Sequence, residues 1–337
     1  MRVLFLFMDG VGLGKDDPSI NPFSSAPYPT IKSLLSGRKL IDQSVPFYSK
    51  DCTLLGLDAR LGVPGTPQSA TNQATILTGL NFPELLGYHY GPKPNAEIKM
   101  YFKQGIMPKS PSTSWIPEIN LSNNSIFAKL IQSDHKVASL NAYPEKYFDH
   151  VNSGKRNHSV IPLALTSAGF SLFDQNDLFQ GKAISADFTG QGWHDYLDLP
   201  QTPILSPYQT GKRIASLSEN YDLSVVEFWE SDHIGHKQDF EKATKMIEKL
   251  DFVIKGLIDT WNFEKGMILI SSDHGNLEDL STRKHTLNNV PAFLIGNSDC
   301  QQLFSEKVLS ICDLAPFMHE IIVRSKFDNL SQGQIPK

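Results

Sequence analysis

Short apolar runs alternating with stretches of helical period set the pattern of this chain. Val3–Met8 (Val-Leu-Phe-Leu-Phe-Met), 223–229 (Leu-Ser-Val-Val-Glu-Phe-Trp), 267–271 (Met-Ile-Leu-Ile-Ser) and Val290–Ile295 are too short for core helices and read as buried strands. Lys136–Ala142 reads as another strand and Ala183–Phe188 as a possible one. Helical periodicity is clearest over Phe240–Trp261, where Met246, Leu250, Val253, Ile254, Leu257 and Ile258 recur at three- and four-residue steps. Thr71–Leu80, Ser125–Ser133, Val160–Ala168, Pro207 to Leu217 and about Asp313 to Val323 complete the helical set. Such alternation predicts an α/β fold, a mostly parallel sheet with helices on both faces.

Three stretches interrupt the alternation. Residues 15–60 are rich in loops, with Pro18, Pro22, Pro27, Pro29 and Pro46; 84–122 is rich in Pro, Gly, Ser and Asn; 144–205 is mixed. The expectation is one domain over 1–337, with small irregular, cap-like insertions at about 84–122 and 144–205. No internal repeat or low-complexity tract is visible.

Composition narrows the partners. At 40% hydrophobic and 20% charged residues, the chain has the make-up of a soluble globular protein with a full core. A net charge of −5 weighs against nucleic acid and anionic membrane as partners. Three cysteines (Cys52, Cys300, Cys312), with no CxxC pair and one left over, favour a reducing compartment. Val3–Met8 is too short for a secretory leader and no run approaches ~20 apolar residues, so the expected location is cytoplasmic. The oligomeric state is not legible.

The candidate chemistry lies just past the strands. Met8-Asp9-Gly10 follows the first, Asp232-His233-Ile234-Gly235-His236 lies just beyond 223–229, and Ser272-Asp273-His274-Gly275-Asn276 ends 267–271, with Lys284-His285-Thr286 further on. In an open parallel sheet the carboxyl ends of the strands form the ligand crevice. Three Asp and three His delivered there make a metal site, and mixed carboxylate and imidazole donors suit Zn2+ or Mn2+. Asp232 and His236 are four apart, one helical turn, whereas His233 points elsewhere. Gly10, Gly12 and Gly14 have the wrong spacing for a dinucleotide loop, and Asp9 would repel a pyrophosphate. A nucleophile is available in Ser69, before the helical Thr71–Leu80, where helix N–H groups favour a developing oxyanion. The plainer role for Ser69 is a helix N-cap, and Thr66, Thr71 and Thr75 compete for the nucleophile's role.

These motifs resemble the alkaline phosphatase superfamily, which holds cofactor-independent phosphoglycerate mutase, phosphopentomutase, nucleotide pyrophosphatases and sulfatases. Asp273-His274-Gly275-Asn276-Leu277-Glu278 resembles the Asp-His-Gly-Asn-Ala-Glu segment of the mutase branch, and Lys284 to Pro291 its His-Thr…Val-Pro segment. Leu77-Thr78-Gly79 is similar to the Leu-Thr-Gly that follows the nucleophile in sulfatases and pyrophosphatases, and counting back nine from Thr78 reaches Ser69. Asp313-Leu314-Ala315-Pro316 is similar to the start of the family's last helix. The resemblance implies two ions, one held by Asp9, Ser69, Asp273 and His274, the other by Asp232, His236 and His285. It also implies substrate contacts from Asn72, three past the nucleophile, and from Asn141 and Tyr143, where sulfatases carry a Lys that is missing here.

The expected activity is therefore divalent-metal-dependent phosphoryl transfer on a small phosphate ester through a phosphoserine at Ser69. Modest insertions favour a phosphatase or phosphodiesterase, because a mutase needs a cap that excludes water. A phosphomutase is the alternative, and a non-catalytic metal-binding scaffold is the reading from another class.

Overall fold

The computed structural model describes residues 1–106 and 125–332. Its strands are β1 (Arg2–Met8), β2 (Phe47–Tyr48), β3 (Cys52–Leu57), β4 (Val137–Ser139), β5 (Ala142–Tyr143), β6 (Phe173–Asp174), β7 (Leu223–Phe228), β8 (Gly266–Ser272) and β9 (Val290–Ile295). Seven form one sheet in the order β2-β3-β9-β8-β1-β7-β4, while β5 and β6 pair separately. Because β1 is parallel to both β7 and β8, Met8 stands level with Phe228 on one side and Ser272 on the other. Asp9, Trp229 and Asp273 therefore leave the sheet at one edge. That register brings distant parts of the sequence together.

The sheet is mostly parallel, as the alternation predicts, but β9 runs antiparallel between β8 and β3. Its polarity has a local cause. No helix lies between Ser272 and Val290 to carry the chain back across the sheet, so the strand returns in the opposite sense.

Side chains along β1 alternate between two cores. Val3, Phe5 and Phe7 pack on one face with Ala70, Ala74 and Leu77 of the helix Ser69–Thr78, Ile161 and Ala164 of Val160–Ser167, and Phe317. Leu4, Leu6 and Met8 pack on the other with Ile247, Leu250 and Ile254 of Phe240–Ile258 and Ile214 of Pro207–Ser218. Helices thus cover both faces, as the fold class requires.

The loop-rich stretches hold more structure than their composition predicts. Residues 15–60 contain β2, β3 and the helix Pro29–Leu34, whose first amides are held by the buried carboxylate of Asp251 (Thr30 N at 2.9 Å, Ile31 N at 2.8 Å). Within 84–122, the helix Ala96–Gln104 sends Ile98 and Tyr101 into the first core; 107–122 of that stretch lies outside the described residues. Within 144–205, Val160–Ser167 belongs to the same core, whereas Leu178, Ala183 and Trp193 form a small cluster of their own with Ala142. The expected strand 136–142 divides into β4 and β5, and Ala183–Phe188 contributes only a bridge from Ile184 to Asn141. His135 is buried against Asp222 at 3.3 Å. Among the described residues no helix is long and apolar enough to cross a membrane.

Candidate metal centre

The centre is built where β1, β7 and β8 end. Asp9 follows β1; Asp273 and His274 follow β8; Asp232 and His236 sit one turn apart on the helix Glu230–Lys237, just past β7. His285 arrives from the loop between β8 and β9, whose position is fixed by the bridge from Gly275 to Thr286. Gly10 permits the close approach. Its φ is +70°, and a Cβ there would lie 2.7 Å from Asp232 Oδ1.

The six predicted side chains converge, five of them in two overlapping groups and Asp273 beside the second. Donor atoms of Asp232, His236 and His285 lie within 4.8 Å of one another, as do those of Asp9, Asp232 and His274. Asp273 Oδ2 stands 3.7 Å from His274 Nε2, and Asp9 Oδ1 stands 3.3 Å from the same atom. Asp232 faces both groups.

The imidazoles test whether a cation fits. His236 Nδ1 lies 2.7 Å from the carbonyl of Arg283, and His285 Nδ1 lies 2.8 Å from the carbonyl of Pro67. Only a protonated Nδ1 bonds a carbonyl, so in the neutral rings both Nε2 lone pairs point inward. Those Nε2 atoms are 3.2 Å apart, and Asp232 oxygens lie 3.3 and 3.5 Å from them. Lone pairs and a carboxylate at such range repel unless positive charge lies among them. The donor set therefore fits a divalent ion.

Charge at the other group leads to the same conclusion. Burial, then Asp273, pushes Asp9 up to about 8, and burial also raises Asp273. Burial opposes charge on His274, yet Asp273 and Asp9 hold it protonated up to about 10. Burial and that charge on His274 depress His285 to about 4. Burial disfavours bare negative charge on these carboxylates, and a bound ion would balance it.

Ser69 stands over this group with its hydroxyl 3.0 Å from His274 Nε2. It is the first residue of its helix; Gln68 occupies the N-cap position, so the Ser69 oxygen is not spent on capping. The amides of Ser69 and Ala70 meet no acceptor among the described residues, whereas Thr71 N donates to Tyr90 O at 3.0 Å. Two free N–H groups thus face the Ser69 oxygen's end of the helix. The competing hydroxyls of Thr71 and Thr75 are buried and donate to Gln68 O and Thr71 O.

The residues expected to touch substrate are placed differently from one another. Asn72 is buried and gives both amide hydrogens to carbonyls, of Ala59 and Asp273, at 2.8 Å each. Asn141 holds the main chain of Glu227 from both sides, donating to its carbonyl at 2.9 Å and accepting from its N–H at 2.7 Å. Tyr143 donates to Glu227 Oε1 at 3.2 Å. Asn72 and Asn141 thus brace the loops that carry the site, while Tyr143 reaches toward an acid.

Four polar residues around the centre received no role from the sequence, although Asn276 and Glu278 lie within the motif at 273–278. Gln73 donates to Asp273 Oδ2 at 2.9 Å and to Asp9 Oδ2 at 3.4 Å; its spacing of four from Ser69, on one helix face, was the available signal. Asn276 donates to Asp232 Oδ1 at 2.9 Å. Glu278 accepts from the N–H groups of Gly12 and Asn276 at 2.8 Å each, from Asn288 at 3.0 Å and from Thr286, tying three loops together. Glu227, a charged residue inside an apolar strand, is pushed by burial up to about 7, against the opposing pull of Tyr143 and Lys93.

An α/β sheet with carboxylates and imidazoles gathered at its strand ends is the arrangement that the resemblance to the alkaline phosphatase superfamily implies. Residues 205–326 match the family model described as Metalloenzyme superfamily, and the resemblance read from the motifs is borne out. Two similar curated proteins are named 2,3-bisphosphoglycerate-independent phosphoglycerate mutase. That of Methylobacillus flagellatus is 32% identical over 123 residues, 34% of this chain and 23% of its own length. One from Methanosarcina acetivorans is 35% identical over 112 residues, 31% of this chain and 21% of its own length. The chain thus spans under a quarter of the length of these relatives. Among solved structures, the PH0037 protein from Pyrococcus horikoshii superposes with a TM-score of 0.54 at 15% identity, covering 96% of this chain and 97% of its own.

Proposed function

We propose that this protein transfers a phosphoryl group of a small phosphate ester through a phosphoserine at Ser69, with two divalent ions in the centre. One observation carries the reading. The Ser69 hydroxyl, buried and free of a capping duty, stands 3.0 Å from His274 Nε2 inside a cluster of three carboxylates and three imidazoles. Zn2+ or Mn2+ suits those donors; when bound, such ions would lower the hydroxyl's pKa and neutralise phosphoryl oxygens. Asp9, Asp273 and His274 would hold one ion beside Ser69, and Asp232, His236 and His285 the other. Ser69 gives up its proton to solvent and attacks phosphorus in line as the ester P–O bond breaks, and the departing alcohol oxygen takes a proton from water. The free amides of Ser69 and Ala70 receive developing negative charge, and Gln73 keeps Asp9 and Asp273 in register. Tyr143 is the candidate contact to the part of the substrate beyond phosphorus.

The fate of the phosphoserine separates two readings. The names of the matched relatives support return of the phosphoryl group to the same molecule, as in a phosphomutase, and this is the first reading. Hydrolysis is the second, and one feature favours it: the His236 side chain is 44% exposed, giving water a path to the centre. A cytoplasmic location remains our expectation, consistent with three free thiols.

Turnover in isotope-labelled water tests both. A panel of sugar phosphates, phosphoglycerates and chromogenic mono- and diesters is incubated with Mn2+ or Zn2+. Isomerised product with little label in phosphate supports the mutase reading, and labelled phosphate in step with turnover supports hydrolysis. Absence of both from metal-loaded protein removes the phosphoryl-transfer reading.

A further inference from the structure

We infer that Glu278 is a positioning residue of this centre: its carboxylate sets how Asp232 and His285 reach their ion, while the ion beside Ser69 has supports of its own. The inference rests on the two-ion reading above.

A glycine-rich loop and one acid account for each other. Gly10, Gly12 and Gly14 follow β1 with a spacing unsuited to a dinucleotide, and the last two make room for Glu278. A Cβ on Gly12 would collide with Glu278 Oε1 and lie 2.9 Å from Oε2; one on Gly14 would lie 2.9 Å from Glu278 Cγ. A Cβ on Gly275 would collide with Glu278 Oε1 and with Thr286 Oγ1. Three glycines thus close around one buried side chain.

The carboxylate is fully engaged, and by hydrogen bonds alone. Oε2 accepts from Gly12 N and Asn276 N at 2.8 Å each. Oε1 accepts from Asn288 Nδ2 at 3.0 Å and from Thr286 Oγ1. Among the described residues no Lys, Arg or His forms an ion pair with it. Four donors, from the loop after β1, the loop after β8 and the approach to β9, therefore meet on one group with two acceptor oxygens. An acid one methylene shorter could not reach them all.

Two of the three ligands of one ion hang on these bonds. Thr286 adjoins His285, so Oε1 fixes the loop that delivers that imidazole. Asn276, whose N–H is held by Oε2, donates its side-chain amide to Asp232 Oδ1 at 2.9 Å. The ligands beside Ser69 are braced elsewhere. Asp273 Oδ1 accepts from Gly10 N at 3.3 Å and from His274 N at 3.0 Å. Gln73 donates to Asp273 Oδ2 at 2.9 Å and to Asp9 Oδ2 at 3.4 Å. A fault at Glu278 should therefore reach one ion and spare the other.

The test titrates chelator-treated protein with Mn2+ by calorimetry, comparing the unaltered chain with Glu278→Asp, Glu278→Gln and Thr286→Val. His236→Ala marks which binding step belongs to the ion at His285. Glu278→Asp keeps the charge but loses the reach, and should weaken that ion about 10–100-fold, with the other ion within about threefold. Glu278→Gln keeps the reach, since Thr286 and Asn288 can turn to accept from its amide, and should lose under about tenfold. Thr286→Val removes one donor with Glu278 intact and should weaken the same ion about tenfold, which decides the matter if Glu278→Asp does not fold. Equal weakening of both ions, a loss in Glu278→Gln as large as in Glu278→Asp, or unaltered affinity in Thr286→Val would overturn the role. An unaltered protein that binds two ions but transfers no phosphoryl group removes the function proposed above, and the affinities still decide the role of Glu278. An unaltered protein that binds no ion overturns both.

Discussion

Gly235 lies between Asp232 and His236 on the helix Glu230–Lys237, and its missing side chain is what lets that helix reach the β8 loop. An alanine Cβ there would sit 2.7 Å from Asn276 Cγ and 3.2 Å from Leu277 N, and would also collide with Asn276 Oδ1. Ordinary carbon contacts begin near ~3.5 Å, so something must move by about 0.8 Å. Asn276 has no room to yield. It is fully buried, its amide donates to Asp232 Oδ1 at 2.9 Å, and its N–H is held by Glu278 at 2.8 Å. The helix therefore moves, carrying Asp232 and His236 with it. Metal–ligand distances tolerate only about ±0.2 Å, so the ion held with His285 suffers first. Gly235→Ala should weaken that ion by about 10–100-fold, the range for disturbed supporting contacts, and cost about 1–3 kcal/mol through overpacking. Calorimetric titration of chelator-treated protein with Mn2+ or Zn2+ checks this alongside a thermal melt. Two ions bound at unaltered affinity in the folded variant would refute the argument.

Other consequences follow from the same contacts. Ser69→Ala should abolish turnover while keeping both ions, checked by kinetics and metal analysis, because the three imidazoles and three carboxylates stay in place. Metal affinity should rise with pH. Asp9, raised to about 8, still holds its proton at neutrality in the metal-free protein, and an ion must displace it, so affinity climbs about tenfold per unit for that proton and levels off above pH 8, as titrations at several pH values would show. Stability of the metal-free protein should run the other way. The folded chain binds the Asp9 proton more tightly than the unfolded chain, so this contribution is complete below the unfolded value of about 3.9 and is lost as pH rises through 8, which urea midpoints would report. Asp251→Ala should cost about 2–3 kcal/mol in urea denaturation, because the buried carboxylate holds the amides of Thr30 and Ile31.

The strand ends were legible because each ligand follows an apolar run, and apolar runs report burial directly. Asp9 after Val3–Met8 and Asp273-His274 after 267–271 stand where that pattern puts them. The helix placing Asp232 and His236 on one face was legible from their spacing, although its ends were not. β3 was hidden: Cys52–Leu57 lies in a proline-rich stretch and contains Gly56, and it becomes a strand by pairing with β9, some 240 residues away. The antiparallel sense of β9 was equally hidden, since polarity depends on the route of the connecting chain. Gln73 and Glu227 were missed because what each does depends on partners far along the chain, Asp273 for Gln73 and Tyr143 for Glu227; the spacing of Gln73 from Ser69 and the charge of Glu227 inside an apolar strand marked them without showing what they touch.

The central claim is that Ser69 carries the phosphoryl group in a metal-loaded centre. Rapid acid quenching of the turning-over protein, followed by mass spectrometry of its peptides, tests this most directly. The account predicts a phosphoryl adduct on Ser69 that forms with Mn2+ or Zn2+, disappears after chelation, and is absent from Ser69→Ala. An adduct confined to Thr66, Thr71 or Thr75, or turnover by Ser69→Ala at the unaltered rate, would contradict it.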